Sequence, residues 1–299
     1  IFGSARTGTD WPDYSQAREF SRRIVEAGWM VITGAGGGIM HAAQEGAGRD
    51  ASFGVNIRLP FEQMANDVIA GDSKLINFRY FFTRKVAFVK EAHAIALFPG
   101  GFGTHDEGFE ALTLIQTGKG EMMPVVFVDS PGQHYWRDWE EYVRSHLQAR
   151  GLISPADLAL FKVTDDVEVA LREITDFYSN YHSSRYVGER LVIRLRRAPD
   201  AAQLESLNEQ FQDIVAKGAI EATPPLSGEA DEAPGQQRIA FRFDRRSAGR
   251  LRQMIDQLNA FVPAERRTPH DALPHEIVAT PFSQEAQQAI EDENGEEEE

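Results

Sequence analysis

Cysteine is missing altogether from the 299 residues. Its absence removes disulfides, thiolate nucleophiles and cysteine-based zinc sites, and it fits a reducing compartment such as the cytoplasm. No stretch approaches the roughly 18–20 consecutive apolar residues of a membrane helix, so no membrane association is expected. The eight histidines show no H-E-x-x-H or comparable spacing, which leaves a dedicated metal site without support. Positive charge is scarce too: 31 Lys and Arg face 46 Asp and Glu, for a net charge of −15. That balance argues against sequence-independent nucleic-acid binding, which relies on clustered Lys and Arg. Eight of the acidic residues crowd into the final "QEAQQAIEDENGEEEE", and without them the net charge falls to −7, ordinary for this length. Residues 263–299 therefore read as an acidic, disordered tail, with docking of a basic partner as its other use.

What is present is an alternation. The opening "IFGSARTG" reads as the end of a strand, and further residues are expected upstream of Ile1. "WMVITGAGGG" is a strand and glycine turn leading into the helix-like "IMHAAQEGAG"; "SFGVNIRL", "AHAIALFPGG" and "MPVVFVD" are further strands, and "WRDWEEYVRSHLQARG" is a helix with a glycine stop. Val-, Ile- and Phe-rich strands separated by helices predict an α/β fold, a parallel sheet with helices on both faces. In such a sheet, ligands bind beyond the carboxyl ends of the strands. A boundary is expected near "YHSSRYVGER", with residues 1–182 as the α/β domain and 186–262 as a second unit. There "LVIRLR", a helix over "DAAQLESLNEQFQDIVAKG", "AIEATPP", "RIAFRF" and a helix over "SAGRLRQMIDQLNAF" give β-α-β-β-α, which resembles a small ferredoxin-like α+β module. The polar "LSGEADEAPGQQ" between its middle strands reads as a mobile loop.

Three strand ends carry turns of small residues: Gly3 and Ser4, Gly34 to Gly38 followed by Met40, and Pro99, Gly100, Gly101, Gly103 and Thr104. Glycine lets backbone amides converge on one anion, and a helix starting just beyond adds its positive end, so these turns suit a phosphate. None is a generic nucleotide motif. "GAGGGIMHAAQEGA" lacks the P-loop lysine, and Ile39 stands where a dinucleotide fingerprint needs its third glycine. Tight turns alone explain one such cluster, but explain three at one edge less well. Thr104 to Glu107 fits the T-x-x-E capping box, which by itself accounts for both residues. Glu110, three residues on, shares a helical face with Glu107, and two carboxylates beside a phosphate pocket suit chemistry on a ribose. A helix over roughly Tyr80 to Glu91 carries Arg79, Arg84, Lys85 and Lys90. Arg84 and Lys85 are adjacent, so at most one is expected to face the pocket.

At these residues the sequence resembles the Lonely Guy (LOG) family, phosphoribohydrolases that activate cytokinins and whose bacterial relatives are nucleotide 5′-monophosphate nucleosidases. "PGGFGTHDE" fits P-G-G-x-G-T-x-x-E and "TRKVAF" the upstream Arg-Lys motif, while "FGSAR" and "GAGGGIMHAAQEGA" are similar to its other loops. The likeness covers about Ile1 to Tyr178. It implies a Rossmann-like fold, a homodimer or higher oligomer, no cofactor, and a nucleoside monophosphate as substrate. It makes Arg84 and Glu107 the catalytic pair, and Gly100, Gly101, Gly103 and Thr104 the phosphate-binding turn. "HDEGFE" stands where many members have "LEELLE", and Gly108 is read as making room for a different base or ribose contact. Lysine decarboxylation, an older label for relatives, would need a pyridoxal phosphate lysine with its motif, and none is seen. A non-catalytic nucleotide carrier or sensor is the competing expectation.

Overall fold

The computed structural model describes residues 1–57, 65–229, 233 and 235–263. The acidic tail, and residues 230–232 and 234 of the loop expected to be mobile, lie outside them. In the first unit, α1 (Pro12–Glu26), β1 (Val31–Thr33), α2 (Ile39–Ala47), β2 (Ser52–Ile57), β3 (Leu75–Phe78) and α3 (Phe81–Glu91) alternate. They are followed by β4 (Ile95–Leu97), α4 (Phe102–Gln116), β5 (Val125–Val128), α5 (Tyr135–Tyr142), β6 (Lys162–Thr164) and α6 (Val167–Phe177). Strands β1, β2 and β3 pair in parallel, as do β4, β5 and β6.

Two residues join these halves. The Ile1 nitrogen donates to the Ile32 carbonyl at 2.7 Å, the Phe2 amide donates to Ala96 at 2.9 Å, and the Phe2 carbonyl accepts from Phe98 at 2.9 Å. The chain thus runs outward to β3 on one side of this segment and to β6 on the other. That reversal opens a crevice at the carboxyl ends, between the turns that follow Phe2 and Leu97. Every residue of β5 is buried, as expected for a central strand covered on both faces. Helix α1 shows the complementary helical pattern: Tyr14, Ala17, Phe20, Ser21 and Ile24 form its buried stripe.

The second unit holds β7 (Tyr181–Val187), β8 (Arg190–Leu195), α7 (Ala201–Gln210), β9 (Val215–Ala222), β10 (Gln237–Phe243) and α8 (Ala248–Ala260). Its antiparallel sheet has the order β7-β8-β10-β9. Two expectations are corrected here. The connecting stretch at 181–190 is a hairpin turning at Gly188 (φ 59°), so a strand precedes the β-α-β-β-α series and fills the edge beside β8. The helix read as far as Gly218 stops at Gln210, because Phe211 and Ile214 turn into the core and Asn208 holds the strand that follows. The Asn208 side-chain Nδ2 donates to the Ile220 carbonyl at 2.9 Å and its Oδ1 accepts from the Ile220 amide at 2.8 Å.

One apolar cluster runs through both units. Asn259 of α8 stitches them: its oxygen accepts from the amides of Asn180 and Tyr181 at 3.0 and 2.8 Å, and its nitrogen donates to the Phe177 carbonyl at 2.6 Å. Gly249 lets α8 press onto the 3-10 turn Pro155–Leu160; an added Cβ would stand 2.1 Å from the Ala156 carbonyl oxygen. Alanine in a helix interior is ordinarily favoured over glycine by about 1 kcal/mol. Here the obstacle is backbone, so Gly249→Ala is expected to cost about 1–3 kcal/mol, read as a lower denaturation midpoint.

Candidate active site

The three glycine turns meet in the crevice. The Ser4 amide donates to the Pro99 carbonyl at 3.1 Å, and the Ser4 carbonyl accepts from the Ile39 amide at 2.9 Å. Gly38 has φ of 61°, and a Cβ there would stand 2.2 Å from the Ser4 carbonyl oxygen. A Cβ on Gly100 would meet Thr104 Oγ1 at 2.1 Å and the Ser4 nitrogen at 2.9 Å. Gly3 packs on the Ile39 side chain and Gly37 on the Ala5 carbonyl, while Gly36 accepts from the Asn66 side-chain amide at 2.9 Å. These glycines let loops touch loops. Gly101 and Gly103 differ, for a Cβ on either would have nothing within 4 Å. They border open space at the first turn of α4.

Helix α4 begins three residues earlier than T-x-x-E suggested, with Gly101 and not Thr104 as N-cap and no side-chain cap. The capping box therefore does not form. Thr104 lies inside the helix, buried, its hydroxyl against Gly100. The uncapped amides at this end leave a site for an anion, assisted by the helix dipole.

Beside this turn, α3 and α4 face each other with charges. Lys85 Nζ is 2.8 Å from Asp106 and 3.8 Å from Glu107, and it also bonds Glu110. The Arg84 Nε donates to the Val55 carbonyl at 3.0 Å, and its guanidinium lies over the Phe88 ring at 5.3 Å. The Glu107 carboxylate is only 14% exposed. Burial raises it above the ordinary carboxylate range, against the pull of Lys85 and Arg84 and with help from Glu110 and Asp106. Burial likewise lowers the Arg84 guanidinium, opposed by Glu107. Burial draws the Lys85 ammonium down, but the surrounding carboxylates outweigh it and hold it above its usual value.

Arg84 and Lys85 both act electrostatically on Glu107. Their head groups make different contacts, Arg84 with the Val55 carbonyl and Lys85 with the carboxylates of α4. Lys85 serves as counter-ion to the carboxylates; the contacts it makes are to them and not to the glycine turn. Gly108 is also reassigned. Its open side faces the core, where a Cβ would stand 3.0 Å from Leu97 Cδ2 and 3.4 Å from Phe127 Cε1, so the room is spent on packing α4 against the sheet.

Gly34, read from the sequence as part of a phosphate turn, instead gives room to Arg84 and Met40. A Cβ there would lie 2.4 Å from Arg84 Nη2 and 2.8 Å from Met40 Sδ. Both obstacles are the far ends of flexible side chains, so Gly34→Ala is expected to fold normally but to push the guanidinium aside. A displacement of this size typically costs on the order of 100-fold in rate; steady-state turnover beside an unchanged thermal melt would check it. Tyr135 and His105 are not among the residues the sequence points to. The His105 Nε2 lies 2.7 Å from the Tyr135 hydroxyl, which itself donates to the Gly100 carbonyl. His105 adjoins the turn in sequence, but only folding brings Tyr135 there.

Fold and site together define a doubly wound α/β protein whose glycine-lined crevice lies beside the buried Glu107, its counter-ion Lys85 and the buried Arg84. Residues 37–174 match the family model described as possible lysine decarboxylase, the family of the LOG proteins. No curated protein matches the sequence. Among the described residues no helix is long and apolar enough to cross a membrane.

Proposed function

We propose that the protein hydrolyses the N-glycosidic bond of nucleoside 5′-monophosphates, AMP or a cytokinin riboside monophosphate, to free base and ribose 5-phosphate. The observation that carries this reading is the buried Glu107 with Lys85 3.8 Å away and Arg84 acting on it electrostatically, on the helix whose first turn holds Gly101 and Gly103 beside open space. In this mechanism the 5′-phosphate binds at the start of α4 and fixes the sugar. The C1′–N bond breaks as oxocarbenium-like charge builds on the ribose, and ionised Glu107 stabilises that charge from the ribose hydroxyls. Water adds to C1′, and its proton leaves with the base nitrogen. Arg84 contacts the phosphate or ribose and keeps Glu107 ionised.

The match of residues 37–174 to this family supports a hydrolase acting on nucleotides. It offers less for lysine decarboxylation, since Lys85, the lysine of this cluster, is held by three carboxylates. In the same reading, the α/β unit before β7 carries the reaction without a cofactor in the cytoplasm, the unit from β7 to α8 forms an accessory module, and the chain assembles as a homodimer or higher oligomer. Support for assembly comes from Phe82 and Phe102, 66% and 96% exposed on the two helices that build the site. Incubation with AMP and with cytokinin riboside monophosphates, followed by chromatography, is expected to release free base. Tight binding of AMP with no base released would instead make the protein a nucleotide carrier or sensor.

A further inference from the structure

We infer that Tyr135, backed by His105, is a positioning residue that locks the Gly100–Gly101 peptide of the phosphate turn in its binding orientation. The inference rests on the reading of that turn as the phosphate site. The peptide between two glycines is the one in the turn most able to flip, because neither neighbour has a Cβ to oppose rotation. On the Gly101 side it has no atoms close enough to resist, as an added Cβ would find nothing within 4 Å. What holds it is the Tyr135 hydroxyl, which donates to the Gly100 carbonyl. In a planar trans peptide the carbonyl and the following N–H point in opposite directions. Fixing the Gly100 oxygen toward α5 therefore aims the Gly101 N–H to the opposite side, away from α5.

The brace is itself braced. With its proton committed to Gly100, the Tyr135 oxygen can only accept from His105, 2.7 Å away, which requires the Nε2–H form of the ring. Burial lowers the His105 imidazole, in keeping with a neutral ring that donates from Nε2. The next amides of α5 are pinned in turn: the buried Asp129 carboxylate at the end of β5 accepts from the Trp136 amide at 3.0 Å and the Arg137 amide at 3.3 Å. A contact path thus runs from the sheet through α5 to one peptide of the turn.

The test compares the wild type with Tyr135→Phe, His105→Gln and His105→Leu. Tyr135→Phe is expected to raise KM for AMP and the Kd for ribose 5-phosphate by about 10-fold, equivalent to ~1.4 kcal/mol, with kcat changed less than about 3-fold. His105→Gln, which keeps a donor, is expected to stay near wild type, and His105→Leu to fall between the two. The Gly101 amide signal in the ligand-free protein provides a readout independent of any substrate. It should move or broaden in Tyr135→Phe and remain in place in His105→Gln. An unmoved Gly101 signal, or unchanged ribose 5-phosphate affinity in Tyr135→Phe, overturns the brace. A wild type that neither binds ribose 5-phosphate nor releases base overturns the functional reading instead, and the amide signal still decides the brace.

Discussion

Glu107→Gln is expected to lower base release from AMP by about 100-fold or more, the usual cost of deleting one preorganised electrostatic partner, without lowering the melting temperature. The two halves of that result have one cause. Glu107 is buried, and its carboxyl is held above the ordinary range because the low-dielectric surroundings disfavour the charge. A carboxyl that binds its proton more tightly when folded favours the folded state below the unfolded value, and that advantage is lost as pH rises through the folded one. At neutral pH the ionised carboxylate is therefore a cost to the fold, kept for the sake of the reaction. Glutamine carries no charge to bury, and Lys85 retains Asp106 and Glu110. The same shift sets the pH profile: base release should fall on the acid side at a higher pH than an ordinary glutamate would give. A variant that melts as the wild type does and keeps near-normal turnover would remove Glu107 from the mechanism.

The second expectation concerns the C-terminal module. Glu229→Gln should destabilise the protein by about 3 kcal/mol, within the range for breaking a buried ion pair, measured by denaturant unfolding at neutral pH. The Glu229 carboxylate is 1% exposed and lies between Arg194, at 3.0 Å, and Arg238, at 2.9 Å, with the Leu226 amide as a further donor at 3.0 Å. Removing its charge leaves both guanidinium groups buried with less to balance them. Arg238 keeps the carbonyls of Gln236 and Ala233, which places the effect toward the lower end. Burial pulls the Glu229 carboxyl upward, but the Leu226 amide and the two arginines outweigh it and hold it below the ordinary range. Its contribution is therefore present above the unfolded carboxylate value and lost as pH falls through the lower folded one. Wild type and variant should converge in acid. A constant gap across that range would place the stabilisation in packing and not in charge.

Much of the α/β unit was legible because its signals are local. The all-apolar "VVFV" of β5 and the glycine turns each announce themselves within a few residues, as do the charges of "TRKVAF" and "HDEGFE". Strand β7 was not legible. "YHSSRYV" is polar and shows no alternation, and it becomes a strand because β8 offers it a partner across a two-residue turn. The capping box was misread for a related reason: Gly100 and Gly101 let the helix start earlier, and Thr104 found a buried place against the turn.

By itself, then, the sequence determined the alternating architecture, the three small-residue turns at one edge of a parallel sheet, and the pairing of a basic helix with an acidic one. These follow from periodicity and from the backbone freedom of glycine, which act between near neighbours. Only the tertiary structure decided that Arg84 rests against Gly34 and Val55, that Gly108 serves the core, and that Tyr135 reaches the Gly100 carbonyl across 35 residues. Contacts of that kind depend on where separate elements come to lie against one another. Their geometry is set by the packing of the whole sheet and is not written in any one segment.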